Sequence, residues 1–215
     1  MIISTLHYVT QGARPADHLN ALEDACKAGC NWVQLRMKEC TYEDYRAVAR
    51  EGRAICTRFN ARLIINDSVD IAREVKSDGV HVGALDMPVD KARRVLGNHF
   101  IIGGTANTLE DIQRLSQTSA DYIGLGPLRY TATKKVLSPL LGLAGYQRLV
   151  SQCKDKNIRV PLIAIGGITE ADIDLLRAAG IYGVAISGAI TQAANQRQTV
   201  QSILKKLALA PPLSK

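Results

Sequence analysis

Ala120-Asp121-Tyr122-Ile123-Gly124-Leu125-Gly126-Pro127, followed shortly by Tyr130-Thr131-Ala132-Thr133-Lys134-Lys135, joins an apolar, β-prone run to a polar loop. The run stops at Gly and Pro, residues that punctuate a strand. Two hydroxyls and an ammonium then gather just beyond the strand's carboxyl end. Hydroxyls donate to phosphate oxygens, and a lysine adds a compact positive charge. Thr131, Thr133 and Lys134 are therefore candidates for gripping a phosphorylated ligand. The same residues also suit a solvated loop, so their meaning depends on the rest of the chain.

Working outward, the same motif of an apolar run with a polar or glycine end recurs. His7-Tyr8-Val9-Thr10, Asn31–Arg36, Arg62–Asp67, Gly79–Gly83 and Phe100–Gly104 precede it, and Val160–Ile165 and Gly183–Ser187 follow. Several are apolar almost throughout, as strands buried on both faces of a parallel sheet are. Helical patterns separate them: Pro15–Ala28, Tyr42–Phe59 with Thr41 as N-cap, Asp90–Leu96, Thr108–Gln117, a segment opening at Thr169, and Gln192–Leu207. Eight strand–helix beats over about 200 residues predict an α/β fold, a single-domain (β/α)8 TIM barrel. The rival is a doubly wound open sheet, but Thr10-Gln11-Gly12-Ala13-Arg14 lacks its glycine fingerprint. The expected domain is 1–207, with 208–215 a frayed tail.

Composition narrows the function classes. The chain has 215 residues, 47% hydrophobic and 22% charged, as in soluble globular proteins. No apolar run approaches the ~20 residues of a membrane helix, and the amino terminus lacks the basic start of a secretory signal. Five cysteines, with only a CxxxC pair and no ligand partners, fit reduced thiols in the cytoplasm. The net charge of +7 is dispersed, and 5% aromatic residues offer few stacking platforms, so no nucleic-acid partner is expected. The composition is compatible with a homo-oligomer.

In a barrel of this kind the active site sits at the carboxyl ends of the strands, and polar residues do collect there. Gln34, Arg36 and Lys38 alternate, which would point one amide and two cations to one side. Asn66-Asp67 ends the third strand, Asp86 follows the fourth, and Thr105 and Asn107 lie at the fifth. Asp67 and Asp86, on neighbouring strand ends, suit Mg²⁺, which takes one or two carboxylates and completes its shell with water and phosphate. Asp67 could alternatively cap the following helix. Gly167 and the Ser187-Gly188 pair, after the last two strands, could present backbone N–H groups to a phosphate.

The motifs QLRMK, IND, GVHVGALD, ADYIGLGP…TATK, AIGGI and GVAISGAI, in this order, resemble those of the thiamine phosphate synthase family over about residues 8–190. The resemblance implies a transferase on a (β/α)8 barrel. It would join a hydroxymethylpyrimidine diphosphate to a thiazole phosphate with Mg²⁺, releasing diphosphate. By position it implies pyrimidine-diphosphate contacts from Gln34, Arg36, Lys38, Asn66 and Lys134, with Thr105 standing where the family has serine. It implies Mg²⁺ ligation by Asp67 and Asp86 and thiazole binding by Thr131 and Thr133. Gly167 and the Ser187-Gly188 backbone would hold the thiazole phosphate, and Arg36, Lys38 and Lys134 would stabilise the leaving charge. Three positions depart from the family: Ala84 replaces a Gln, Asn107 a His, and Ser187-Gly188 shifts a serine by one place. The alternatives are the related thiazole tautomerase, with His81 as a conceivable proton donor, and a non-catalytic ligand-binding barrel. At His81 a hydrogen-bonded histidine of the core or rim is the expected role.

Overall fold

The computed structural model describes residues 3–130 and 139–209. Within them, strands β1 (Leu6–Val9), β2 (Trp32–Leu35), β3 (Arg62–Asn66), β4 (Gly79–Val82), β5 (Ile101–Ala106), β6 (Tyr122–Leu125), β7 (Leu162–Ile165) and β8 (Gly183–Ile186) pair in parallel and in sequence order. The ring closes where Leu6, His7 and Tyr8 of β1 lie opposite Val184, Ala185 and Ile186 of β8. An open doubly wound sheet is thereby excluded, and the fold is the (β/α)8 barrel.

Alternation along each strand sorts the side chains into two cores. Val9, Trp32, Ile64, Ile101, Tyr122, Ile163 and Ala185 point inward and fill the barrel. Tyr8, Val33, Leu35, Leu63, Ile65, Val80, Ile102, Ile123 and Val184 point outward and meet the helices. Because both faces are covered, the strands carry few polar residues except where they open onto the mouth.

The helices are α1 (Pro15–Ala28), α2 (Tyr42–Arg58), α3 (Val69–Glu74), α4 (Val89–Leu96), α5 (Leu109–Ser116), α6 (Gly142–Asp155), α7 (Ile173–Ala178), α8 (Gly188–Thr191) and α9 (Gln196–Leu209), with a 3₁₀ turn at Glu170–Asp172. Thr41 caps α2 as expected, its hydroxyl accepting the Asp44 N–H at 3.1 Å. Three elements go beyond the sequence reading: α6 and α8 were not anticipated, and α3 only as a helix that Asp67 might cap. The helix expected from Gln192 to Leu207 instead begins four residues later, at Gln196. The Asn195 side chain accepts the Gln198 N–H at 3.1 Å and starts α9 there, and α9 runs on to Leu209. Residues 210–215 of the expected tail lie outside the described residues.

The amino-terminal rim is tied by a repeated device. Asp78, just before β4, accepts the Leu63 N–H of β3 at 2.7 Å and pairs with Arg53 of α2. Asp121, just before β6, accepts the Ile102 N–H of β5 at 2.8 Å and pairs with Arg93 of α4 at 2.7 Å. These latches hold strand register at the end of the barrel opposite the polar strand ends.

Candidate active site

At the carboxyl ends of β2, β3 and β4 the structure brings Lys38, Asp67 and Asp86 together. The Lys38 ammonium pairs with the Asp67 carboxylate. Asp86 turns back so that its Oδ2 accepts the Gly83 N–H at 2.8 Å. Burial first, then a hydrogen bond with the Asp67 carboxyl, pushes the Asp86 carboxyl above its ordinary value. Two carboxyl groups this close favour either a shared proton or a bound cation.

The backbone explains how Asp67 gets there. Its φ of +64° lies in the left-handed region, which Asp tolerates better than most side chains. Ser68, not Asp67, caps α3, its Oγ accepting the Ile71 N–H at 3.3 Å. The capping alternative for Asp67 is thus taken by its neighbour, and the carboxylate is left for the mouth. Among the described residues no group of three or more metal-ligating side chains occurs. Two carboxylates are within the number Mg²⁺ takes where water and phosphate complete its shell.

Only Gln34 of the Gln34-Arg36-Lys38 series lies within β2; Arg36 and Lys38 fall in the loop after it. Gln34 is buried and, by alternation with Trp32, faces the barrel axis. Arg36 is half-buried, with its N–H donating to the Thr10 hydroxyl at 3.0 Å. Asn66 is buried at the end of β3, and among the described residues its side-chain Nδ2 has no hydrogen-bond partner. A buried donor left unpaired costs free energy, so this amide is ready for a ligand acceptor.

On β5, the half-buried Thr105 hydroxyl lies 2.9 Å from His81 Nε2, and His81 Nδ1 lies 3.1 Å from the Tyr122 hydroxyl. His81 is thus the hydrogen-bonded histidine expected from the sequence. Asn107 takes an unforeseen role: its Nδ2 donates to the Gly126 carbonyl at 2.8 Å and the Pro139 carbonyl at 2.9 Å. It thereby ties together the two ends of the 126–139 segment. Thr131, Thr133 and Lys134 lie outside the described residues.

Around the last strands, Gly167 has φ +69°, and a Cβ there would run into the Arg129 side chain. Arg129 donates to the Gly167 carbonyl and forms a two-pronged ion pair with Asp172 at 2.6 and 2.7 Å. Ser187 Oγ donates to Gln11 Oε1 at 3.2 Å, while a Cβ on Gly188 would approach nothing nearer than 3.8 Å. Gln11 and Arg129 were not singled out from the sequence. Gln11 follows the first strand, so the same strand-end rule could have found it. Two surface recesses of about 450 and 470 Å³ lie away from the mouth, one beside α5 and α6, the other at the amino-terminal rim around Asn31, Arg53 and Asp78.

Comparison with known proteins identifies the family and supports the fold. The family model described as thiamine monophosphate synthase matches residues 6–190. A thiamine-phosphate synthase of Bacteroides fragilis is 44% identical over 200 residues, covering 93% of this chain and 98% of its own. One from Flavobacterium johnsoniae is 44% identical over 202 residues, covering 94% and 95%. The solved thiamine phosphate pyrophosphorylase of Pyrococcus furiosus superposes with a TM-score of 0.81 at 25% identity, covering 95% of each chain. A 3-hexulose-6-phosphate synthase, at 14% identity and TM-score 0.69, shares the fold. Matched by that family model over residues 6–190 and by relatives at 44% identity over most of its length, the chain belongs to the thiamine monophosphate synthase family.

Proposed function

We propose that this protein is a thiamine phosphate synthase. It condenses 4-amino-2-methyl-5-hydroxymethylpyrimidine diphosphate with 4-methyl-5-hydroxyethylthiazole phosphate, yielding thiamine phosphate and diphosphate. The observation that carries the reading is the convergence of Lys38, Asp67 and Asp86 on one side of the mouth. A diphosphate leaving group needs cations and a carboxylate-held metal, and a tautomerase needs neither.

Asp67 and Asp86 would hold Mg²⁺, which when bound supplies charge to neutralise the leaving diphosphate. The chain's own groups do the rest. Arg36 and Lys38, with Lys134 as a further cation, stabilise negative charge as the bond from the pyrimidine methylene to the diphosphate oxygen breaks. Its electron pair leaves with the diphosphate, and the pyrimidine amino group stabilises the cation. The thiazole nitrogen gives its lone pair to the methylene carbon, forming the new C–N bond, so no protein nucleophile takes part. Gln34, Asn66 and Thr105 orient the pyrimidine, while Thr131 and Thr133 bind the thiazole. The Gly167 and Ser187-Gly188 backbone holds its phosphate. Orientation and exclusion of water protect the cation from hydrolysis.

The work belongs in the cytoplasm, and among the described residues no helix is long and apolar enough to cross a membrane. The test is direct: purified protein, both substrates and Mg²⁺ are incubated, and thiamine phosphate is sought by chromatography. Its formation, dependent on both substrates, is expected. Release of diphosphate without thiamine phosphate would overturn the reading.

A further inference from the structure

Beneath the mouth, the barrel interior holds an aromatic group that the chemistry above does not use. His7 stacks on Trp32 with ring centroids 3.8 Å apart, and Trp32 meets Tyr122 edge-on at 4.9 Å. Tyr122 in turn lies against His81 at 5.5 Å. Two inward glycine positions make the room. A Cβ on Gly103 would overlap the Tyr122 ring, and one on Gly124 would sit 3.0 Å from His81 Cε1. The strands are built around these two rings.

The hydrogen bonds along this group have a direction. Tyr122 is fully buried, and burial pushes its phenol well above its ordinary value, so it keeps its proton. Among the described residues the partner of its hydroxyl is His81 Nδ1, at 3.1 Å. Were Nδ1 protonated, the phenol would accept, and its own O–H would be buried without an acceptor, at the cost of a lost hydrogen bond. The phenol therefore donates, Nδ1 accepts, and the neutral ring carries its proton on Nε2. Nε2–H then donates across 2.9 Å to Thr105 Oγ1. With one of its two lone pairs engaged from below, the threonine hydroxyl keeps its own proton free to donate.

We propose that Tyr122 and His81 are positioning residues that set Thr105 as a hydrogen-bond donor to an acceptor atom of the bound pyrimidine diphosphate. This rests on the function proposed above for the ligand, but the relay itself does not. The difference from an ordinary threonine is polarity. A free hydroxyl offers its proton and both lone pairs alike, whereas this one has a lone pair already filled by the Nε2–H and its proton left to give.

The tautomer is read directly from ¹⁵N chemical shifts of the histidine rings in the ligand-free protein, with the His81 signals assigned by loss in His81→Gln. A protonated Nε2 and an unprotonated Nδ1 are expected, and Tyr122→Phe should move the population towards Nδ1–H. In steady-state assays, Thr105→Val should lower kcat/KM for the pyrimidine diphosphate about tenfold, while Thr105→Ser keeps most of it. Tyr122→Phe should lower kcat/KM several-fold, with the melting temperature recorded alongside to separate binding from folding. An Nδ1-protonated His81 in the wild-type protein would overturn the relay. So would a folded Thr105→Val with wild-type kcat/KM. If the protein makes no thiamine phosphate, the proposed function fails, and the ring shifts still decide the relay.

Discussion

At Asp67 a left-handed backbone, a pairing lysine and a second carboxyl meet in one residue. Replacing it with Ala removes a metal ligand and leaves Lys38 without its partner. The expected result is a fall in kcat of about a hundredfold or more at saturating substrates and excess Mg²⁺. Full wild-type activity in excess chelator would contradict the assignment. Gly188 offers the reverse experiment, because the space beside it is open to 3.8 Å. Gly188→Ser should fit without distortion and lower KM for the thiazole phosphate by up to about tenfold, or leave it unchanged. A large rise in KM with an intact melting curve would show that the shifted serine is a different solution to phosphate binding. The strand-end carboxylates were legible in the sequence because the barrel rule says where to look. Asn107 was legible only as a departure from the family pattern, since the carbonyls it joins, Gly126 and Pro139, become neighbours only in the folded chain.

Elements divide by which end of the barrel they secure. The Asp121 latch binds an N–H of β5 and a guanidinium of α4, far from the mouth. Asp121→Ala should lower stability by about 2–3 kcal/mol, or roughly 5–10 °C in Tm, with kcat unchanged. A calorimetric scan beside a rate measurement separates the two. The ion pair of Arg129 with Asp172 gives a pH signature. Arg129 first, then hydrogen bonds from Thr169, hold the Asp172 carboxyl down at about 2. Since the folded value lies below the ~3.9 of an unfolded chain, the pair stabilises fully above about pH 4. That contribution is lost as pH falls towards 2. Asp172→Asn should flatten the decline of Tm across this window. Strands were legible because burial on both faces makes a short, nearly continuous apolar run. The α3 helix was poorly legible, having only six residues, too few for a period to show. The α6 helix opens with Gly142-Leu143-Ala144-Gly145 and has no capping side chain, so its start carries no signal.

For the molecule as a whole, the decisive feature is that the sheet has no free edge. Its seam joins β1 to β8 and is fastened by two tyrosine hydroxyls. Tyr8 reaches Thr191, 183 positions away, at 2.7 Å, and Tyr182 reaches the Ile3 carbonyl, 179 positions away, also at 2.7 Å. The sequence announced eight strands, but only the folded chain shows where the ring is sewn. That seam has a meaning for the protein's birth. At about 5–20 residues per second, the segment that will lie beside Leu6 leaves the ribosome on the order of ten to forty seconds after it. Until then β1 presents an unpaired edge, the feature that invites pairing with other nascent chains. Chains arrested just before Gly183 should accordingly remain protease-sensitive and chaperone-bound, whereas full-length chains held to the ribosome by an added carboxyl-terminal linker should resist digestion. Pulse proteolysis of stalled ribosome complexes of both lengths would show it, and equal resistance would mean that the barrel settles before its last stave arrives.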